Sequence, residues 1–210
     1  MAAASARPLL IFPFNGNGLE ALDCLGDAWT LAGFVDDTPA KQGQTVHGHS
    51  VFGREAFARL PDAMVLAVPG SPTSYLDRQK LIEGLSLSPA RFARVVHPRA
   101  SVSPLAAIGR NVLLLAGVVV TSNARIGDHV CILPNTVVHH DVAIGDRCLI
   151  GSNVTLAGGS ALGNNCYVGS GTSVKNGVRI GDQALVGLGS NVIRDVPAGA
   201  RVAGNPARPI

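Results

Sequence analysis

The sequence predicts a chain of mixed class, α/β plus all-β. A small N-terminal Rossmann-like parallel α/β domain over residues 1–94 is followed by a parallel β-helix of hexapeptide repeats over residues 95–210. Three observations predict this. From Val96 to Val192 every sixth residue is Ile, Leu or Val without exception, and glycine repeatedly comes next. Before residue 95 the repeat is missing, and short apolar runs alternate with helix-type patterns.

If about a quarter of residues were aliphatic, seventeen successive hits would arise by chance with odds on the order of 10⁻¹⁰. A period of six fits neither a helix nor a strand, so each unit must be a short strand and a corner. Three units close a triangular coil, and residues eighteen apart then stack at roughly 4.8 Å in parallel sheets. The glycines that follow the aliphatics (Gly109, Gly127, Gly145, Gly151, Gly163, Gly169, Gly181 and Gly187) are expected to supply corner dihedrals that a side chain would forbid. Four residues after the aliphatic, small or β-branched residues such as Val112, Val118, Val130, Thr136, Val142, Cys148, Val154 and Cys166 should point inward.

In the first part, residues 9–14 read as a buried strand, 19–32 as a helix and 33–35 as a second strand ending at Asp36 and Asp37. Residues 63–68 read as a third strand, 73–85 as a helix and 92–96 as a strand leading into the first hexad. Strands separated by helices imply a parallel sheet, with ligands at the carboxyl ends of its strands.

Composition excludes several classes. At 47% hydrophobic and 15% charged, 210 residues can bury a core. The net charge of +3 is scattered and aromatics are only 4%, so neither a basic stripe nor stacking platforms for nucleic acid are present. No apolar run approaches a membrane span, and the Ala/Ser tail over residues 1–6 lacks an export core. The four cysteines have no metal or redox spacing, and Cys148 and Cys166, eighteen apart, read as buried thiols in one column. These features fit a cytoplasmic protein.

Two stretches carry chemistry. Asn15-Gly16-Asn17-Gly18 follows a strand and opens a helix, where glycines admit a close ligand and helix-start N–H groups favour phosphate oxygens. Asp36 lies twenty residues after Gly16, placed to accept hydrogen bonds from a ribose or base. Gly16-x-Gly18-x-x-Ala21 satisfies the dinucleotide fingerprint, but the domain has room for about half of that fold, which favours a single nucleotide. A tight turn without a ligand is the alternative. The second stretch is Asn135 to Asp146, where His140 falls two positions after Val138 and should face outward at a corner. An outward His beside Asp141 suits a general base, and an idle surface histidine is the alternative. His129, His139 and His140 lie on neighbouring coils without a recognisable ligand spacing, so a zinc lyase is disfavoured and no metal is expected.

Val137-Val138-His139-His140-Asp141-x-x-Ile144-Gly145-Asp146 resembles the active-site segment of the hexapeptide-repeat sugar O-/N-acyltransferases, the group of sialic-acid O-acetyltransferases and nucleotide-amino-sugar N-acetyltransferases. Asn15-Gly16-Asn17-Gly18, Val35-Asp36-Asp37, Val95-Val96-His97-Pro98 and Gly204-Asn205-Pro206-Ala207-Arg208 are similar to that family's nucleotide loop, second-strand end, domain junction and C-terminal coenzyme A segment. Pro13 and Asn17 stand where the family's loop often has Gly and His.

The resemblance implies a left-handed coil, a homotrimer, and direct transfer of acetyl from acetyl-CoA to the amino group of a nucleotide-linked amino sugar. His140 would be the base and Asp141 its companion acid. Asn15, Gly16, Asn17, Asp36 and Asp37 would contact the nucleotide sugar, and Leu149, Gly158, Ser170, Gly187, Pro206 and Arg208 the acetyl-CoA. O-acetylation of a sugar of the sialic-acid type is the alternative within the family, and a non-catalytic nucleotide-sugar binding protein the alternative outside it.

Overall fold

β1 (Arg7–Phe12) is apolar on both faces, so it needs cover on each side and becomes an interior strand. The chain continues through α1 (Gly16–Glu20), β2 (Trp29–Val35), β3 (Thr45–Val46), β4 (His49–Phe52), α2 (Ala56–Arg59), β5 (Met64–Ala67) and α3 (Arg78–Glu83). The strands form one sheet in the order β3-β4-β2-β1-β5, parallel except for the β3–β4 hairpin. This computed structural model describes residues 6–210, so residues 1–5 of the Ala/Ser tail lie outside the described residues.

Several expected elements differ. The helix expected over residues 19–32 ends as a 3-10 turn at Cys24, because Gly26 turns to φ 51 and the β-favouring run Trp29–Val35 joins the sheet. The helix expected over 73–85 begins as a 3-10 turn at Tyr75, since the hydroxyls of Ser71, Thr73 and Ser74 bond one another in a local turn. The hairpin was not anticipated, although its two-residue turn, His47 and Gly48 at φ 49 and 80, is the geometry that favours tight hairpins.

From Val95 to Val192 the expected repeat is realised as seventeen two-residue strands, each ending on one of the periodic aliphatics. They pair in parallel with strands eighteen residues away and build three faces. Face I holds the strands that end at Val96, Leu114, Ile132, Ile150, Val168 and Val186. Face II holds those ending at Val102, Val120, Val138, Leu156, Val174 and Val192, and face III those ending at Ile108, Ile126, Ile144, Leu162 and Ile180. The aliphatics and the residues four places later fill one continuous core, which includes Cys148 and Cys166. Each fully buried Val, Leu or Ile contributes about 1.5–3 kcal/mol to such a core. The first-coil aliphatics Val96, Val102 and Ile108 are only half-buried, because no coil lies beneath them.

The corner glycines act differently from the expectation. The residues after the aliphatic do not have positive φ; they are glycine because the next coil passes too closely, and a Cβ on Gly145 would come 2.7 Å from the Gly163 carbonyl. From Ile108 to Val186 the left-handed position is the third residue after each aliphatic, as at Asn111, Asn123, His129, Asn135, Asp141, Arg147, Asn153, Asn165 and Gln183, with Gly117, Gly159, Gly171, Gly177 and Gly189 at the equivalent places. Asn, Asp and Gly tolerate that region best, which explains the composition of the column.

On the edge between faces III and I this column anchors the N-terminal sheet. The Asn111 amide accepts from Ala67 N–H at 2.7 Å and donates to Ala67 C=O at 2.8 Å. Arg78, fully buried, donates to the carbonyls of His129 at 2.7 Å and Arg147 at 3.1 Å, and to that of Pro69. Asn165 donates to the Leu76 carbonyl at 3.3 Å, and the Tyr75 hydroxyl to the Gln183 carbonyl at 3.0 Å. An apolar seam of Leu9, Ile11 and Cys24 with Leu113, Cys131 and Leu149 completes the junction. No helix among the described residues is long and apolar enough to cross a membrane.

The two kinds of corner position should respond differently to substitution. Gly145→Ala should cost about 1–3 kcal/mol through the close contact. Asn135→Gly, which keeps the left-handed conformation open, should stay within about 0.5 kcal/mol of the parent. Urea unfolding of both variants checks this, and equal losses would refute the division.

Candidate active site

His140 stands on the edge between faces II and III, one residue before the left-handed position. Adjacent side chains on an extended strand diverge. Here Asp141 turns to φ 60, and its carboxylate Oδ2 comes 2.8 Å from His140 Nδ1. The two side chains are 63% and 55% exposed. A carboxylate only accepts, so the proton of a neutral ring belongs on Nδ1 and Nε2 is left with its lone pair. The ring lies against Gly158 one coil on, where a Cβ would sit 2.6 Å from Nε2 and Cε1, so glycine there makes room for the imidazole.

One coil before, Asn123 donates to Asp141 Oδ1 at 3.1 Å. The His140 and Asn123 hydrogen bonds hold the Asp141 carboxyl below its ordinary pKa. Asn123 and Asp141 line an open cleft of about 340 Å³ with Leu105, Ala107, Arg125 and Ala143. Asn123 was not singled out from the sequence, although its place eighteen residues before Asp141 is the signal that could have found it. Asp146, part of the motif, has a structural task and accepts from the Asp128 N–H at 2.8 Å.

Two of the other histidines are engaged elsewhere. His129 Nδ1 faces the Asn111 amide at 3.0 Å and its ring packs edge-on against Phe92, with burial lowering its pKa. His97 Nδ1 accepts from the Arg99 N–H at 2.9 Å.

In the N-terminal part, the loop after β1 meets the end of β2 as expected. Asn15 is used within the loop: its Oδ1 accepts from Gly18 N–H at 2.8 Å and its Nδ2 reaches the Val68 carbonyl at 3.4 Å. Gly18 is needed for packing, since a Cβ would lie 2.7 Å from the Pro13 carbonyl oxygen. Gly16 is exposed over open space and Asn17 is half-buried. The helix expected to present a row of N–H groups is only five residues long, and the Gly18 and Leu19 N–H groups are already taken by Asn15.

Asp36 is buried, and each of its oxygens already has a donor: Thr38 N–H at 2.9 Å on Oδ1 and Lys41 Nζ at 2.9 Å on Oδ2. The same ammonium reaches the Phe14 carbonyl at 2.8 Å and so ties the loop to β2. Asp37 is exposed and held by both Nε and Nη2 of Arg54 at 2.6 and 2.7 Å. Neither cation was foreseen, because each pairing depends on how the chain returns after β2.

The residues expected to hold the acyl donor divide between locations. Gly158 is beside His140. Ser170 and Gly187 are on the edge between faces I and II, where Ser170 Oγ accepts from the Ser152 N–H at 3.0 Å. Pro206 and Arg208 are exposed in the terminal segment that folds back on Arg201–Ala203. Leu149 does not meet the expectation. Its side chain is 4% exposed in the seam against the N-terminal sheet, so it is not open to a ligand. The end of the α1 region also faces the I/II edge, where Glu20 and Asp23 look across a cleft of about 250 Å³ to His97, Leu115, Ala116 and Pro134.

The family described as bacterial transferase hexapeptide (six repeats) matches residues 105–139 and 123–158, and the hexapeptide repeat of succinyl-transferase matches 141–176. No curated protein sequence matches the chain. Among solved structures, PerB from Caulobacter crescentus in complex with CoA and GDP-perosamine is 30% identical over 100% of both chains, with a TM-score of 0.83. A single-residue variant of perosamine N-acetyltransferase from Caulobacter crescentus, with the same two ligands, is 29% identical over 100% of this chain and 99% of that one, with a TM-score of 0.84. The acetyltransferase domain of PglB from Neisseria gonorrhoeae in complex with acetyl coenzyme A is 26% identical over 98% of this chain and 100% of that one, with a TM-score of 0.86.

The Asp36–Lys41 pair makes a pH-dependent prediction. Burial alone would raise the Asp36 pKa, but the Lys41 ammonium and the Thr38 N–H outweigh it and hold the carboxyl below its ordinary value. Such a group contributes stability above its unfolded pKa and loses it as pH falls through the folded one. Lys41→Met removes the counter-charge and leaves the burial, so the carboxyl of the variant should protonate at higher pH than in the parent. Urea unfolding should then show a deficit for the variant at about pH 7 that shrinks toward about pH 4. A deficit independent of pH would mean that the ammonium does not act on this carboxylate.

Proposed function

This chain belongs to the hexapeptide-repeat family of sugar acyltransferases, and from that premise we propose that it moves the acetyl group of acetyl-CoA onto the amine of a nucleotide-linked amino sugar. The carrying observation is the His140–Asp141 pair, joined at 2.8 Å on an exposed edge with Gly158 making room for the ring. An amine is favoured over a hydroxyl because the matched perosamine enzyme is an N-acetyltransferase.

In this reading the N-terminal part, residues 1–94, is a Rossmann-like domain that binds the nucleotide through Gly16, Asn17 and the region of Asp36 and Asp37. Residues 95–210 form a left-handed β-helix that binds acetyl-CoA and carries the base. The CoA-bound relatives support the donor, and the GDP-perosamine complexes support a nucleotide sugar as acceptor.

His140 Nε2 takes the proton of the acceptor amine as nitrogen attacks the thioester carbonyl, which lowers the barrier because the amine would otherwise carry a positive charge. The C–N bond forms, the C–S bond breaks, and the imidazolium, stabilised by Asp141, returns the proton to the departing thiolate. No acetyl-enzyme is required, since a thioester is already activated. This leaves Cys148 and Cys166, both buried in the coil, without a catalytic task.

The location of the residues supports a homotrimer. His140 and Gly158 stand on the II/III edge, whereas Ser170, Gly187 and the α1 end stand on the I/II edge. Packing three prisms around an axis can bring the II/III edge of one protomer against the I/II edge of the next. Light scattering should give three chains per particle; a stable monomer at micromolar concentration would argue against the shared site.

The base makes the sharper test. His140→Ala should lower kcat by roughly 10² to 10⁴ with little change in either KM. His139→Ala should be milder, because His139 precedes the motif position and is half-buried. Turnover is followed as free thiol released from acetyl-CoA over a panel of nucleotide amino sugars. Loss of activity on replacing His139 while the His140 variant keeps most of it would reverse the assignment.

A further inference from the structure

The stacking of residues eighteen apart places Asn123 directly below Asp141, both in the left-handed conformation, with φ 61 and 60. Its amide nitrogen lies 3.1 Å from Asp141 Oδ1, while Oδ2 is 2.8 Å from His140 Nδ1. We propose that Asn123 is a positioning residue for the acid–base pair, holding the Asp141 carboxylate in the plane from which it orders the His140 ring. This rests on the reading of His140 as the base.

The need for such a residue follows from exposure. Asp141 is 55% exposed, and a carboxylate with one partner on the surface rotates freely and exchanges that partner for water. A second donor on the other oxygen fixes its plane. The backbone supports the same geometry, because Asp141 N–H donates to the Ser122 carbonyl at 3.1 Å and so ties the two coils together beside the side-chain bond. An amide suits the task and a carboxylate does not. Asn supplies a neutral donor, whereas Asp would set two like charges against each other across one coil.

Higher on the same edge the equivalent residues are Gly159 and Gly177, which have no side chain. The backbone therefore does not require Asn at this position, and the amide is present only in the coil beneath the His–Asp pair. On the III/I edge the Asn residues of the column are occupied with the N-terminal sheet: Asn111 holds Ala67 and Asn165 holds Leu76.

Asn123→Gly removes the amide but keeps the left-handed backbone, so the melting temperature should hold. We expect kcat to fall roughly tenfold with the KM for acetyl-CoA and for the acceptor unchanged. Asn123→Asp, which replaces the donor with an acceptor of equal size, should lose at least as much. The decisive measurement is a double-mutant cycle with Asp141→Ala: if Asn123 acts through Asp141, adding Asn123→Gly to that variant should cost nothing more.

Multiplying losses in the double variant, a parental kcat in Asn123→Gly, or a raised acceptor KM with kcat intact would each overturn the proposal. The last would assign Asn123 to the adjoining cleft instead. His140→Ala, assayed alongside, separates the two levels. If it keeps turnover, the base itself is misassigned; if it abolishes turnover while Asn123→Gly is silent, only the positioning role fails.

Discussion

The coil depends on one backbone requirement, a left-handed residue three places after every core aliphatic from Ile108 to Val186. That residue turns the chain from one face of the prism to the next and lets its N–H reach back to the coil before, as Asp141 does to Ser122 and Arg147 to Asp128. For a residue with a Cβ the conformation costs roughly 1–2 kcal/mol. The parallel ladders and the buried aliphatic columns offset this coil by coil. The same turn throws the side chain and carbonyl of each such residue to the outside. A construction rule of the coil therefore supplies three exposed columns at the edges, and the molecule uses them differently: one binds the N-terminal sheet and one carries the His–Asp pair.

How the N-terminal sheet is held follows from that rule. Arg78 is fully buried and has no carboxylate beside it; it is held by carbonyls, two of them turned outward by the left-handed residues His129 and Arg147. Burial lowers its pKa, as desolvation of a cation must. The carbonyl dipoles offset that cost only while the III/I edge stays in place, so the Arg couples the two parts of the chain. At the end of β2 Lys41 does similar work within one part, neutralising Asp36 and fastening the loop after β1.

Much of the coil was legible in the sequence, because an aliphatic every six residues is a demand of the core and survives in one-dimensional form. All of the inward residues named from spacing, from Val112 to Cys166, are buried. The glycines were found for the wrong reason: their role is close approach between coils, and spacing alone does not distinguish that from positive φ. The left-handed column was equally visible as Asn, Asp, His and Gly at one offset, and reading it would have pointed to Asn123. Arg78 and Lys41 could not be found this way, since their partners are backbone carbonyls or a carboxylate brought near only by the fold. Leu149 failed for a related reason: its offset places it on an outer face, and which outer face receives the N-terminal sheet is a tertiary fact.

Neighbouring residues on a strand cannot ordinarily work as an acid–base pair, because their side chains leave on opposite sides. At Asp141 the corner removes that obstacle, and the left-handed turn that closes the coil also bends the carboxylate back onto the preceding imidazole. Stacking then supplies the surroundings at no further cost in design. The coil below offers Asn123 to the free carboxylate oxygen, and the coil above offers Gly158, whose missing side chain leaves space for the ring. Three successive coils thus contribute one element each to a site centred on two adjacent residues, so register errors of a single coil would dismantle it. The strict eighteen-residue pairing of the faces guards against such errors, and in this molecule the regularity of the fold and the geometry of the candidate site are the same constraint.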